Sequence, residues 1–219
     1  MVSKEFLRRL YENHHERKCR YGFSYYERER GYIFSRWIGK GKKILDLGCR
    51  DGYLTRYYVE GNSVIGVDID KRALRKCSET LGIEVMWLDI NEGLPFSSNS
   101  FDVVVVGEVL EHVFSPDNLL KEIRRVLTSN GMLIGSTPNA FHFKNRIRFL
   151  IGMPPDTFVD ETHIHHFSLR DIKSLLGRYF NDVTIIGIGG GGCFRKSLIR
   201  VAPDLFAPDI AWKCVGLRF

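Results

Sequence analysis

Long apolar runs are missing from this sequence of 219 residues. A membrane span needs about 20 consecutive apolar residues, and no stretch approaches that. The opening MVSKEFLRRLYENHHERK is charged throughout and has no apolar run of the kind a secretion signal requires, so a cytoplasmic location is expected. Cysteine is sparse: Cys19, Cys49, Cys77, Cys193 and Cys214 are odd in number and never spaced as CxxC. That excludes a zinc ribbon and a disulfide framework and points to reduced thiols. Internal repeats are absent, and Gly189–Gly192 is the one low-complexity piece. With 44% hydrophobic and 26% charged residues, the composition is that of one ordinary globular unit with a full core.

Positive charge is present but unevenly placed. Residues 1–43 hold 12 Lys and Arg against 5 acids, a net of +7, so the excess of the whole chain, +6, sits in this segment. Nine aromatics between Phe6 and Trp37 interleave with it. Such a mixture can track a nucleic acid. The simpler reading is an amphipathic helical lead-in, residues 1–40, that covers the main domain at 41–219.

From residue 43 onward, strand-like runs alternate with helical ones. KKILDL, SVIGVDI, IEVMWLDI, FDVVVVG and GMLIGST have the length and β-branched content of strands. TRYYVE, KRALRKCSETLG and SPDNLLKEIRRVLTSNG have helical periodicity, the last opening on Ser115 as N-cap and Pro116, with Gly131 as its stop. This alternation predicts a parallel, doubly wound α/β sheet covered on both faces. A further helix (SLRDIKSLLGRYF) and two late strands (DVTIIGI, IAWKCVGLR) follow.

The stretch ILDLGCRDG (44–52) falls where the first strand turns into the first crossover, the usual crevice for a nucleotide-like ligand. Gly48 and Gly52 let the backbone turn and approach a ligand closely. Asp68 ends the second strand, where a carboxylate can accept both hydroxyls of a ribose, and Asp89 ends the third. Arg50 stands where a third glycine is common; its side chain is expected to point into solvent. An NAD-dependent oxidoreductase would want that glycine and a Tyr-Lys or His-Asp arrangement downstream, and neither is found.

ILDLGCRDG, VIGVDID, WLDINEGLPF and FDVVVVGEVLEHV together resemble the four motifs of the class I S-adenosylmethionine (SAM)-dependent methyltransferases, closely over residues 40–140 and in outline beyond. The resemblance implies a Rossmann-like sheet of seven strands in the order 3-2-1-4-5-7-6 with the last antiparallel. It implies SAM as cofactor, with Asp46, Gly48 and Cys49 along its methionine end and Gly52 in the same loop. Asp68 would meet the ribose with Ile69 against the adenine, and Asp89 and Ile90 the adenine edge and face. A non-catalytic SAM-binding protein is the rival within this reading, and it turns on whether the acceptor side holds chemistry.

GEVLEHV suggests that it does. Glu108, Glu111 and His112 stand at i, i+3 and i+4, one face of a helical turn, beside the expected methyl group. They could hold a divalent ion such as Mg²⁺. Alternatively, Glu111 and His112 act as a metal-free base with Glu108 on the SAM amino group. ETHIHHFS supplies His163, His165 and His166, of which His163 or His165 would close over the site. A similar E-x-x-E-H occurs in ubiquinone-pathway O-methyltransferases and in small-RNA ribose 2′-O-methyltransferases. Phe143, Ile147, Leu150 and Ile151 recur at helical spacing within a basic run, expected to pack as part of a substrate-side insertion over 141–170, with membrane-surface contact as the minor alternative. The acceptor is expected to be a small-molecule, lipid or glycan hydroxyl, with RNA as the alternative.

Overall fold

The computed structural model describes residues 3–218. Strand β1 (Lys43–Leu47) is buried along its whole length after Lys43, as a strand covered on both faces must be. It pairs in parallel with β2 (Ser63–Asp68) on one side and β4 (Phe101–Gly107) on the other. β3 (Glu84–Trp87) extends the sheet beyond β2, and β5 (Leu127–Pro138) extends it beyond β4. β7 (Asp209–Leu217) inserts antiparallel between β5 and β6 (Phe180–Ile188), giving the order β3-β2-β1-β4-β5-β7-β6 expected above. The order in which strands are added reverses at the β1/β4 pair, so a crevice opens at the carboxyl ends of these parallel strands.

Helices fill both faces. On one, α4 (Pro116–Val126) and α6 (Leu169–Leu176) bury Leu120, Ile123, Ile172 and Leu176 against Leu45, Val104 and Trp212. Ser115 caps α4 through its side chain, and Ser168 with Asp171 closes a capping box on α6. On the other face α2 (Glu27–Ile38) presses Phe34 and Ile38 onto Ile44, Val103 and Val105. α3 (Lys71–Leu81) packs against β2 and β3, and α1 (Lys4–Arg17) lies outside α3.

Several local expectations need correction. TRYYVE forms a single 3₁₀ turn, Thr55–Tyr57. α4 stops at Val126, and Leu127 enters β5 directly, with a register shift between Phe101 and Val103 that absorbs the extra residues before Gly131. After Gly189–Gly192 the chain forms α7 (Cys193–Val201) and α8 (Pro203–Phe206). α5 (Phe143–Leu150) follows β5.

Two glycines separate steric from conformational need. A Cβ on Gly135 would lie 2.4 Å from Trp212 and 2.7 Å from Val106, whereas Gly82, the left-handed cap of α3 at φ 65°, faces open space. Gly135→Ala should therefore cost about 3 kcal/mol by overpacking. Gly82→Ala should cost about 1 kcal/mol of backbone strain. Urea unfolding of the two variants checks the ranking.

Candidate active site

The carboxyl ends of the strands enclose a cavity of about 360 Å³. Its first wall is the turn after β1. Asp46 is buried and accepts hydrogen bonds from Thr55 Oγ1 (2.7 Å) and Tyr58 OH (2.8 Å). Burial nevertheless outweighs those donors and pushes its carboxyl up to about 6. Gly48 turns at φ 77°, and a Cβ there would strike Val109 at 2.6 Å. Gly48 and Cys49 line the cavity; Gly52 does not, since it packs the loop against Cys77 and Leu81 of α3.

Asp68 stands at the tip of β2 with both oxygens held by backbone amides, Arg50 N–H on Oδ2 and Asp70 N–H on Oδ1, each at 2.8 Å. Burial raises its pKa. Ile69, Asp89 and Ile90 continue the same wall, with Asp89 Oδ1 taking the backbone and side-chain N–H of Asn91. All the acids and loop residues expected to meet an adenosine, Gly52 apart, thus border one cavity.

Arg50 departs from its expectation. Its backbone is left-handed (φ 51°), the conformation a glycine would take at no cost. Its guanidinium, instead of facing solvent, reaches the Phe23 carbonyl and Asp51. The residue therefore clips the segment between α1 and α2 to the loop.

Across the cavity, residues 108–114 form a bend and turn rather than the helical turn expected. Glu108 sits in the left-handed region (φ 58°), which swings its carboxylate to Ser136 Oγ (2.9 Å) and Arg30 (3.4 Å). The expected trio of Glu108, Glu111 and His112 is thereby divided. Glu111 and His112 are joined instead by His163, one ligand atom from each lying within 4.8 Å of the others. His112 Nδ1–H donates to the Thr162 carbonyl (2.9 Å) and His163 Nδ1–H to the Thr157 carbonyl (3.2 Å), leaving both Nε2 atoms free to accept. Burial, then the neighbouring His163, holds His112 down to about 3, so its imidazole is neutral at physiological pH. Glu111 is 2% exposed, both its oxygens lack hydrogen-bond partners among the described residues, and burial raises its carboxyl well above the usual range. His112 and His163 line the cavity; His165 lies outside it with its ring on Phe167, and His166 stacks on Phe158.

Residues with no motif complete the site. Arg30 of α2, 1% exposed, donates to Asp209 Oδ2 (3.0 Å) at the start of β7, and both line the cavity. Along the sequence Arg30 is one cation among the 12 of residues 1–43, and no motif surrounds Asp209. α1 adds Tyr11, whose ring meets His112 edge-on at 5.8 Å, and His15, whose Nδ1 bonds Asp70 at 2.8 Å.

The chain is similar to known proteins both in sequence and in fold. The family model described as a methyltransferase domain matches residues 45–135. A Mycobacterium tuberculosis protein named "Probable S-adenosylmethionine-dependent methyltransferase" is 31% identical over 198 residues, covering 88% of this chain and 69% of that one. A ubiquinone biosynthesis O-methyltransferase of Roseobacter denitrificans is 35% identical over 118 residues, 52% of this chain and 47% of that protein. Among solved structures, a SAM-dependent methyltransferase from Archaeoglobus fulgidus superposes with a TM-score of 0.63 at 22% identity, covering 87% of this chain and 92% of that one. At that identity it attests the fold alone.

Two outcomes test the loop. Asp46 is more readily protonated folded than unfolded, so its contribution to stability is full below pH 4 and is lost as pH rises through about 6. Asp46→Asn should remove that decline, a difference of about 3 kcal/mol between the two ends, read by urea unfolding of the cofactor-free protein. Arg50→Gly relieves left-handed strain while removing the clip to Phe23. Global stability should then change by less than about 1 kcal/mol, while amides of residues 20–26 lose hydrogen-exchange protection.

Proposed function

The chain belongs to the class I S-adenosylmethionine-dependent methyltransferases, and from that premise we propose that it delivers the sulfonium methyl to oxygen, on the hydroxyl of a small-molecule, lipid or glycan acceptor. The observation that carries this reading is the neutral His112 on the cavity wall, its Nδ1 pinned and its Nε2 open, beside Glu111 and His163. A hydroxyl must lose its proton on methylation, and an acceptor of that proton is what such a wall supplies.

SAM would lie with its ribose hydroxyls on Asp68 and its adenine between Ile69, Asp89 and Ile90. Its methionine end would lie along Gly48 and Cys49. The ammonium and carboxylate of that end meet one anion and one cation, Glu108 and Arg30, 3.4 Å apart. In the transfer the S–CH₃ bond breaks as the O–CH₃ bond forms, and S-adenosylhomocysteine leaves neutral at sulfur. The hydroxyl proton passes to His112. A dry imidazole stores a proton poorly alone; burial holds the neighbouring Glu111 carboxyl toward its neutral form, and a cation on His112 would favour its ionisation. Most of the remaining rate comes from alignment and from exclusion of water by α1, α2 and the 156–166 segment.

A metal-assisted form of the same transfer is favoured by one observation, the two unpartnered oxygens of buried Glu111. The two imidazoles beside it are each tied by Nδ1 to a backbone carbonyl, which aims Nε2 outward as in metal-ligating histidines. Glu111, His112 and His163 would hold the ion, which would lower the pKa of the acceptor hydroxyl. One carboxylate and two nitrogens suit a transition dication better than Mg²⁺, since Glu108 is engaged elsewhere. RNA is disfavoured as acceptor because much of the basic N-terminal segment is already paired within the chain.

Asp68→Ala should weaken SAM binding by about 1.5–3 kcal/mol in calorimetry. Glu111→Ala or His112→Ala should leave SAM affinity near wild type but lower turnover about 10²–10⁴-fold, followed as S-adenosylhomocysteine release over a panel of quinols, glycolipids, sugar nucleotides and short RNAs. Full activity of both variants on the responding acceptor would refute the catalytic assignment. Activity that survives chelation and ignores added Mn²⁺ or Mg²⁺ would leave the metal-free base.

A further inference from the structure

Helix α5 carries its apolar stripe on the outside. Phe143, Ile147, Leu150 and Ile151, the last at its C-cap, follow at i, i+4, i+7 and i+8, one face of the helix. That face is in water, with Leu150 85% and Ile151 64% exposed. The side turned to the protein is polar: Asn145, 1% exposed, donates to the Ala140 carbonyl and accepts from Asp156 N–H. The stripe expected to pack over the substrate mouth therefore faces the other way. Ten large apolar side chains between Phe141 and Ile164 stand exposed, more than an isolated soluble surface ordinarily leaves uncovered.

α7 and α8 extend the same face. α5 leaves β5 at Pro138, α7 follows β6 after Ile188, and α8 precedes β7 at Asp209, three positions that stand in register at one end of the sheet. Phe143 and Phe206 lie 6.3 Å apart, and Arg146 reaches Asp204 at 3.2 Å. Phe194 and Val201 of α7 are 78% and 84% exposed. The cavity opens at this end too, since Pro138, Asp156, Thr157 and Pro208 are among its lining.

Cations predominate on the two helices of this face. Residues 141–155 contain Lys144, Arg146 and Arg148, and residues 189–203 contain Arg195, Lys196 and Arg200, with no Asp or Glu in either stretch. Asp156 and Asp204 pair with the first three and leave an excess. Aliphatic and aromatic side chains ringed by cations match the boundary of an anionic bilayer. A second copy of the chain would set like charges face to face, which is costly. A nucleic acid would leave Leu150 and Ile151 without a partner.

We propose that α5 and α7 form a docking face for an anionic lipid surface, with the stripe of α5 entering the headgroup boundary beside the mouth of the cavity. An amphiphilic acceptor then reaches the site from the membrane, a last step that rests on the hydroxyl acceptor proposed above; the docking itself does not. The test uses the full chain, sedimented with vesicles of phosphatidylcholine alone or mixed with phosphatidylglycerol. Binding to the mixed vesicles is expected, weakened at least about tenfold by high salt. Leu150→Glu with Ile151→Glu should weaken it by about tenfold or more while melting temperature and SAM affinity stay at wild type. No preference for the anionic vesicles, or undiminished binding by the double variant, would overturn the proposal. So would a dimer in sedimentation that the double variant splits, because the stripe would then be a protein interface. Vesicle binding needs neither cofactor nor acceptor, so its failure leaves the methyl-transfer reading standing.

Discussion

One buried cation organises the carboxyl end of the sheet. Arg30 donates to Asp209 at the start of β7 and to the Tyr25 carbonyl before α2, and lies 3.4 Å from Glu108 at the exit of β4. An unpaired guanidinium at that depth would be prohibitive, so α2 can settle only where these partners converge. Burial in turn raises Asp209 well above the usual carboxylate range, opposed by Arg30, so each charge depends on the other remaining in place. Ion pairs of this kind add little net stability against a well-packed apolar substitute. Their effect here is positional: α2 is fixed against strands that come from opposite halves of the chain. Arg30 Nε and Asp209 Oδ1 are buried with no hydrogen-bond partner among the described residues.

The remainder of the N-terminal segment follows from that anchor. α1 crosses between the cofactor wall and the acceptor-side segment, and electrostatic contacts hold it at both. His15 and Tyr21 meet Asp70, the N-cap of α3, while Arg17 and Arg20 meet Glu161 and Asp160. Arg56 meets Glu27 and Arg72 meets Glu16 farther out. Exposed pairs of this sort are worth little singly. The pairs of Arg17, Arg20 and Arg30 with acids of the main domain engage cations that, read along the sequence, looked available to a nucleic acid. A net charge counts residues; the field at a surface depends on which of them already face an opposite charge.

The central strands and the acids at their tips were legible because they rest on local signals. β-branched runs of strand length and acids at fixed positions after them survive translation into structure almost unchanged, and Asp68, Ile69, Asp89 and Ile90 border the cavity as their order implied. What was illegible depends on tertiary contacts. E-x-x-E-H reads as one helical face only if the chain is helical there, and Glu108 is drawn into the left-handed region beside Ser136 and Arg30, residues distant in sequence. Arg50 occupies a glycine-like conformation because its side chain gains a partner in Phe23. α7 and α8 follow a glycine run whose weak local preference says nothing of the contacts that Ile199 makes with β6. The stripe on α5 was visible, but periodicity gives the face and not the direction in which it points.

The Glu111–His112 turn and the 156–166 segment are physically one unit. The Glu111 carbonyl accepts both Ile164 N–H (2.9 Å) and His165 N–H (3.1 Å), and the Thr162 carbonyl holds the His112 ring. Thr162 is itself held by Asp160, which His14 of α1 and Arg20 just beyond it also contact. Any change that moves residues 156–166 therefore bears on the His112 ring directly, through the Thr162 carbonyl. It reaches the Asp68 wall only indirectly, through α1, which meets Asp160 and Glu161 at one side and Asp70 at the other. The first path is one hydrogen bond long and the second crosses a helix, so the His112 ring is the group most directly coupled to that segment.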